Sequence, residues 1–474
     1  MVKNNFLRKI QRNRKSLDIS LRRLKIYSNE IYITYIPQIT DKKRVSNDII
    51  RPILQYGKDK LLTIDIIMES VIYVDDVNKD YNEDKIIDYI LQGKSIIIMT
   101  YEDKYIVCDT TRVEKRQIQA PILEDTIRNP RDCFTENMDS NLSLIRYRIK
   151  DENLKIDDFT VGKRTKTKVA VVYIKDVAND KYVSDIKNRI KRIKTDGILD
   201  SGNIQRFIVN NSMMLFPEVG IIERSDKACT TLLDGKVCII VEGSNIVLSA
   251  PKVFSEFLDS SDDYNDSIYW AIFSKFIRIV SLLMSLELSA LYVAIIAFHP
   301  DALPVEFIIA LASSRETVPF NALTEAFLME LVAEVLREAS MRLPKQIGTA
   351  IGIVGTIVIG QAAVSAGLVS PLMVIIVSLS TMCSFVAGDY TIMNSIRILK
   401  FFMIFITGVL GLFGFVIGIT FIAINLISTS SFGVPYLAPI APLNFKDFRN
   451  YFLSDRTLAK ERPKFLKTKD NTRQ

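Results

Sequence analysis

The chain has 474 residues and a formal net charge of +7, with 48% hydrophobic and 24% charged residues. Such a length suits about three units of ordinary size. Because His299 is the single histidine, a metal site with several histidine ligands is excluded and a histidine-based catalytic triad has no support. The five cysteines have no CxxC spacing and are expected to be reduced. We find no cofactor motif and expect the protein not to be an enzyme.

Charge and hydropathy divide the chain into regions. Residues 1–270 are rich in charge, whereas residues 276–430 are mostly apolar. We interpret 1–27 as a basic N-terminal arm and 446–474 as a basic cytosolic tail, each either solvated or in contact with anionic lipid. Neither block carries a nucleic-acid-binding motif. The N-terminus lacks the apolar region of a signal peptide, so the large N-terminal part is expected in the cytosol.

The N-terminal half contains an internal repeat. A strand-like run at Ile31 matches one at Val169, and Gly93-Lys-Ser-Ile-Ile-Ile-Met99 matches Gly235-Lys-Val-Cys-Ile-Ile-Val241. The offsets are 138 and 142 residues, which differ by the length of a loop. The repeat predicts duplicated cytosolic α/β subdomains, although chance similarity between β-rich segments is the alternative. The predicted boundaries are 28–115 for the first subdomain, 116–164 for a helical linker and 165–270 for the second subdomain.

The first predicted membrane span covers about 276–298 and contains Glu287 near its middle. A carboxylate inside a membrane span costs a few kcal/mol, so Glu287 should face other helices or water. Two interpretations stay open. Glu287 is either a hydrogen-bonded structural residue or part of an ion pathway.

An amphipathic helix is predicted at about 319–343. Its apolar residues recur at helical spacing, and Glu330, Glu334 and Glu338 follow one another at every fourth position. Such a helix is expected to lie in the membrane interface or to cap the spans. The line of glutamates is either a solvated face or, in an oligomer, an acidic ring that concentrates cations.

The span predicted at 346–367 has the most distinctive composition. More than half of its 22 residues are Gly, Ala, Ser or Thr, and Gly348 and Gly352 form a GxxxG pair. Small residues let membrane helices approach closely. This helix therefore packs inside a bundle or lies next to a pore axis.

Further spans at about 369–387 and 401–426 bring the α-helical transmembrane domain to about four spans. An even number places both termini on one side, and the basic ends favour the cytosol. The pore-lining candidates are Gly348, Gly352, Gly355, Val358, Gln361 and Ser365. The ion-pathway candidates are Glu287, Glu330, Glu334 and Glu338.

Long motifs in the chain resemble those of a known family. They include Asn129-Pro-Arg-Asp-Cys-Phe-Thr-Glu-Asn137, Lys166-Thr-Lys-Val-Ala-Val-Val-Tyr-Ile-Lys-Asp176, His299-Pro-Asp-Ala-Leu-Pro304 and Arg315-Glu-Thr-Val-Pro-Phe320. Over about residues 115–450 the sequence resembles the GerA spore germination protein family, A subunit. One departure is Cys133, where the family more often has glycine.

The resemblance implies a subunit of a nutrient germinant receptor, multi-pass in the inner membrane of a bacterial spore. It implies two partners, a transporter-like B subunit that binds the nutrient and a lipoprotein C subunit. It also implies that A subunits form a homo-oligomeric ring that conducts ions. The acidic residues, if they line that ring, favour cations. A relative of stage V sporulation protein AF and a non-conducting scaffold or signalling subunit are the alternatives.

Overall fold

The computed structural model describes residues 5–14, 17–26, 29–56, 62–112, 130, 132–211, 214–342, 358–386, 389–454 and 459–473. The chain divides into two compact units. One, the sheet unit, comprises Met1–Ser212, Val219–Pro251 and Lys460–Gln474. The other, the helical unit, comprises Met213–Glu218 and Lys252–Ala459.

The sheet unit contains two five-stranded sheets with the same strand order. The order is β1-β2-β4-β5-β3 in the first sheet and β6-β7-β9-β10-β8 in the second, and every strand pair described in them is antiparallel. The strands of the first sheet are β1 Ser20–Ile26, β2 Asn29–Tyr35, β3 Val77–Asp80, β4 Ser95–Met99 and β5 Tyr105–Cys108. Those of the second are β6 Leu154–Val161, β7 Thr167–Ile174, β8 Gly220–Ile222, β9 Val237–Val241 and β10 Val247–Ala250.

Helices connect and cover these strands. The longer ones are α1 Asn5–Asn13, α2 Lys85–Leu91, α3 Met138–Arg148, α4 Asp180–Arg192, α5 Ser201–Ile208 and α6 Ser225–Leu233. Shorter helical turns are Lys42–Arg44, Val45–Ile50, Arg51–Tyr56, Ile64–Ile66, Ile67–Val71 and Lys464–Leu466.

The internal repeat falls on equivalent elements of the two sheets. The matching runs form β2 and β7, and the two glycine-led runs form β4 and β9. Gly93 and Gly235 each follow a helix and have φ values of +87° and +89°. That backbone conformation favours glycine at the end of a helix. The repeated sequence pattern therefore corresponds to a repeated topology.

Two predicted boundaries differ from the structure. One separates the N-terminal arm from the first subdomain, and the other separates the helical linker from the second subdomain. The described part of residues 1–27 does not form a separate arm, because α1 buries Phe6, Leu7 and Ile10 in the core of the first sheet and β1 pairs with β2. The predicted linker contains a helix, but α3 and β6 contribute Leu142 and Leu154 to the core of the second sheet. The prediction rested on a count of charges. Because α1 and β1 also carry basic residues on their solvent side, that count did not indicate their buried apolar side.

The C-terminal segment also differs from a solvated tail. Residues 460–473 fold onto the second sheet, where Leu466 is fully buried. The backbone N–H of Lys469 donates to the carbonyl of Val177 at 3.0 Å. Arg462 Nε donates to the carbonyl of Leu233 at 2.7 Å, and Arg473 pairs with Asp234 at 2.6 Å. Part of the positive charge of this segment is thus hydrogen-bonded or paired with groups inside the sheet unit.

The helical unit is built from long helices. They are α7 Ile268–Phe298, α8 Val305–Arg315, α9 Ala322–Arg342, α10 Pro371–Val386, α11 Tyr390–Ser428 and α12 Phe445–Leu453. Residues 358–365 are also helical. Short elements are the turns Phe254–Phe257, Ser261–Tyr264 and Pro300–Ala302 and the strands β11 Ser430–Ser431 and β12 Val434–Pro435. Because this unit starts again at Lys252, the second subdomain ends before its predicted boundary at residue 270.

Helix α11 folds back on itself. Gly411 has φ 63° and ψ −145°, a conformation that is open mainly to glycine. The rings of Phe402 and Phe421 lie 5.5 Å apart, although a straight helix would separate these residues by about 28 Å. Residues 390–410 therefore form a first arm and residues 412–428 a second, antiparallel arm.

The two ends of the helical unit can be defined by contacts with these arms. Lys252 Nζ donates to Asp389, just before α11, at 2.6 Å, and the Lys252 N–H donates to Ser431 Oγ, just after α11, at 3.0 Å. We call this the proximal end. At the distal end, a Cβ placed on Gly411 would lie 2.8 Å from Cγ of Phe298, the last residue of α7. The chain therefore enters the helical unit and leaves α11 at the same end.

Helix α7, and helix α11 when its two arms are counted together, are the two described helices long and apolar enough to cross a membrane, which indicates membrane association. The predicted span at 276–298 lies within α7, and the one at 369–387 corresponds to α10, which has 16 residues. The predicted single span at 401–426 differs from the structure because the chain reverses within it. The total of four spans stays a prediction.

The fold-back of α11 predicts a specific cross-link. In a variant with Phe402→Cys and Phe421→Cys, a short bifunctional thiol reagent should join the two positions within one chain, because their rings are neighbours. Peptide mass spectrometry after proteolysis would detect the joined peptides. A control pair, Phe402→Cys with Phe413→Cys, places the second thiol beside the turn and should not join. Equal yields for both pairs, or no yield for the first, would contradict the hairpin.

Candidate functional site

The charged residues of α9 lie against neighbouring helices. Glu330 is fully buried, and its Oε2 atom lies 2.7 Å from Nζ of Lys400 on the first arm of α11. Ser289 on α7 donates to Glu330 Oε1 at 2.6 Å, and Lys400 Nζ also donates to Ser380 on α10 at 3.3 Å. Four helices therefore meet at one buried ion pair.

A second ion pair lies one helical turn away on α9. Arg397 on the first arm of α11 donates through Nε to Glu334 Oε2 at 2.8 Å. Arg337 stands 3.7 Å from the other oxygen of Glu334 and donates to Ser384 on α10 at 2.8 Å. Arg397 and Lys400 are three residues apart, so they project from one face of their helix toward these two glutamates.

A third glutamate of α9, Glu325, is fully buried and was not among the sequence candidates. Glu325 accepts from the backbone N–H of Ser370 at 2.7 Å and from its hydroxyl at 2.6 Å. Arg315 at the end of α8 lies 3.2 Å from Glu325 and donates to the hydroxyl of Tyr292 at 3.2 Å. The signal in the sequence is a carboxylate among apolar residues, but Glu325 breaks the four-residue spacing that singled out the other three.

Glu338, the last glutamate of the line, is different. It is exposed and pairs with Arg342 of its own helix at 2.6 Å, which is an ordinary surface pair. Helix α9 also packs along the first arm of α11 rather than across an end, since Leu323 touches Gly408 and the rings of Phe327 and Phe401 lie 5.4 Å apart. The solvated-face interpretation therefore applies to Glu338 and not to Glu330 or Glu334.

The described part of the predicted small-residue span presents one face outward. Val358 is 56% exposed, and Gln361 and Ser365 are exposed on the same face. On the opposite face Gly360 is buried, and a Cβ there would lie 3.3 Å from Cγ1 of Val374 on α10. The glycine candidates of this span are outside the described residues. They are Gly348, Gly352 and Gly355.

Glu287 lies apart from these ion pairs. It is half-buried on α7 and lines a mainly apolar cavity of about 260 Å³. Within the described ranges, the structure gives its carboxylate no hydrogen-bond or ion-pair partner. Across the same ranges, no group of three or more His, Cys, Asp and Glu side chains is placed to hold a metal ion.

Comparison with known proteins shows the class to which this chain belongs. The family model described as the Bacillus/Clostridium GerA spore germination protein matches residues 5–465. The chain is a member of the GerA spore germination protein family.

Individual relatives match over most of their length. Spore germination protein KA of Bacillus subtilis (strain 168) is 35% identical over 97% of this chain and 85% of its own. Spore germination protein GerLA of Bacillus cereus is 34% identical over 93% of this chain and 90% of its own. One solved structure is also similar, the crystal structure of the N-terminal domain of the A subunit of the Bacillus megaterium spore germinant receptor GerK3. The two sequences are 26% identical. The match covers 53% of this chain and 94% of the GerK3 chain, with a TM-score of 0.41.

Because Glu330 and Lys400 form a buried pair, we expect substitutions at the two positions to have strongly non-additive effects on the free energy of unfolding. Lys400→Met leaves a buried carboxylate without its cation and should lower the free energy of unfolding by about 3–5 kcal/mol. Adding Glu330→Gln should restore most of that loss because no uncompensated charge remains. The measurement is denaturant unfolding of the protein purified in detergent.

The exposed pair provides the matched control for this experiment. Arg342→Met, which removes the partner of Glu338, should change the free energy of unfolding by less than about 1 kcal/mol. If Lys400→Met were as mild as Arg342→Met, the four-helix ion-pair network would not contribute to stability as described.

Proposed function

We propose that this chain is the A subunit of a spore nutrient germinant receptor in the spore inner membrane. Membership of the GerA family and the long motifs that resemble those of its A subunits support this proposal. In it, the chain acts with a transporter-like B subunit and a lipoprotein C subunit and is not an enzyme. The nutrient is recognised by the B subunit, and the A subunit responds to it.

Both chain termini lie on the cytosolic side in this proposal. The start of the helical unit and the end of α11 meet at its proximal end through Lys252, Asp389 and Ser431. Residues 460–473 belong to the same compact unit as the N-terminal sheets. A membrane chain that leaves and re-enters one soluble body crosses the bilayer an even number of times, which supports termini on one side.

We further propose that A subunits assemble into a ring and conduct ions, with the helix at 358–365 next to the axis. The observation that carries this proposal is the outward face of that helix. Gln361 and Ser365 are exposed beside Val358. Contact between these polar groups and hydrocarbon is unfavourable, because lipid offers no hydrogen-bond partner. A water-filled axis shared with other copies would solvate them.

The acidic ion-pathway candidates have a more restricted role in this proposal. Lys400 compensates Glu330, and Arg397 and Arg337 compensate Glu334. In the described conformation these two glutamates therefore offer little free negative charge. Cation selectivity through them requires the ion pairs to separate when the receptor is triggered. Glu338 is exposed at the end of α9, and Glu287 carries no partner in the described structure.

Two functions are alternatives to a conducting germinant-receptor subunit. A stage V sporulation protein AF-like channel subunit would have the same pore prediction in another complex. A non-conducting scaffold is favoured by the size of the sheet unit, which contains two complete sheets and the C-terminal segment. Planar-bilayer recording of the purified receptor separates conduction from scaffolding, because a scaffold gives no conductance in any state.

The pore proposal predicts opposite effects of two substitutions on one helix. In this proposal Val358 narrows the axis with an apolar side chain. Val358→Ser should therefore increase germinant-independent ion release several-fold, because a polar side chain makes a hydrophobic constriction easier to hydrate. Gln361→Leu should decrease triggered release. The measurement is ion efflux from liposomes that contain the reconstituted receptor, with protein amounts matched by immunoblot.

Ile424→Ser is the control for Val358→Ser. Ile424 is a β-branched residue on the second arm of α11 with a similar exposure, 61%, but it is not on the proposed axis. It should leave ion efflux unchanged. Equal leakage in both serine variants, or no effect of either substitution at 358 and 361, would remove this helix as a pore lining.

A further inference from the structure

The cavity beside Glu287 has an unusual combination of lining groups. It lies between α7, the second arm of α11 and α12, and its walls include Leu283, Ile422 and Phe448. An apolar cavity of 150 Å³ holds a benzene molecule, so about 260 Å³ suits a ligand of roughly ten heavy atoms. The size and the walls thus favour a small apolar molecule.

The polar groups around this cavity are almost all occupied within the protein. The hydroxyl of Ser255 donates to the carbonyl of Ala438 at 3.1 Å, and that of Tyr451 donates to the carbonyl of Ser255 at 3.1 Å. No lysine, arginine or histidine is among the lining residues. Glu287 is therefore the one ionisable side chain of this lining, among the described residues, without a partner inside the protein.

The nearest cations on the same helix are already engaged. Lys275 lies 2.6 Å from Asp259, and Arg278 lies 2.5 Å from Asp263. Each of these acids also lies within the helical unit. A half-buried carboxylate in apolar surroundings is stabilised by a positive charge and a hydrogen-bond donor. In this cavity, neither of these neighbouring cations is available to supply them.

We propose that this cavity binds a hydrophobic monoamine, with its ammonium group on Glu287 and its apolar body against Leu283, Ile422 and Phe448. Charge complementarity selects the occupant. A neutral molecule would leave the carboxylate unpaired, and an amino acid would bring a second carboxylate for which the lining has no cation. The site would make the A subunit itself a receptor for an apolar amine. It does not depend on whether the chain conducts ions.

Binding to the full-length protein in lipid nanodiscs tests this proposal. The probe is phenethylamine, and 2-phenylethanol and phenylalanine are the matched neutral and zwitterionic probes. Phenethylamine should bind at least about tenfold more tightly than either, the difference expected of one charge-assisted hydrogen bond. Isothermal titration calorimetry or ligand-observed NMR gives the dissociation constants.

Two variants and one control locate the site. Glu287→Gln keeps the shape of the side chain and should abolish the preference for the amine over the alcohol. Ala423→Leu fills the cavity and should weaken all binding. Ile424→Leu changes a neighbouring residue that is outside the cavity lining and should have no effect.

Several results would overturn the proposal. Equal affinity for amine and alcohol would show that Glu287 forms no ion pair with the ligand. Binding that survives both Glu287→Gln and Ala423→Leu would place the amine elsewhere, including in the lipid. Absence of phenethylamine binding to the unmodified protein, in a preparation that shows a cooperative thermal unfolding transition, would also refute it.

Discussion

The helical unit depends on the pairing of charges that its helices bury. Glu330 and Lys400 are almost inaccessible to solvent, and removing two charges from water costs several kcal/mol for each ion. Their direct contact, together with the hydroxyl groups of Ser289 and Ser380, offsets that cost. Because the partners come from different helices, the cost is offset only when α7, α9, α10 and α11 are correctly placed. The same pairs that stabilise the unit therefore also fix its register.

The hairpin of α11 makes this pairing possible. Lys400 and Arg397 lie on the first arm, which runs beside α9, while the second arm returns to the proximal end. Gly411 allows the reversal because its backbone conformation is disfavoured for other residues. The close approach of Phe298 leaves no space for a side chain there. A change in the separation of α9 and the first arm would expose Glu330 and Glu334 together.

Much of the sheet unit could be predicted from sequence, because a repeated pattern of apolar runs and glycines reflects a repeated local structure. The strands at Ile31, Gly93, Val169 and Gly235 were located in this way. The ends of the unit could not be predicted. Charge counts assigned the first 27 residues and the last 29 to basic extensions, but burial of Phe6, Ile10 and Leu466 depends on distant strands. Local composition does not report such contacts.

The sequence by itself determined the apolar character of residues 276–430, the resemblance to the family and the small-residue helix as a pore-lining candidate. These follow from length, hydropathy and motifs, which are local properties. Tertiary structure alone decided that α11 is a hairpin, that Glu330 and Glu334 are compensated, that Glu325 joins them and that Glu287 stands alone in an apolar cavity. The physical reason is that the energy of a charge depends on its neighbours in space, and those neighbours lie 70 residues away for Glu330 and 45 for Glu325.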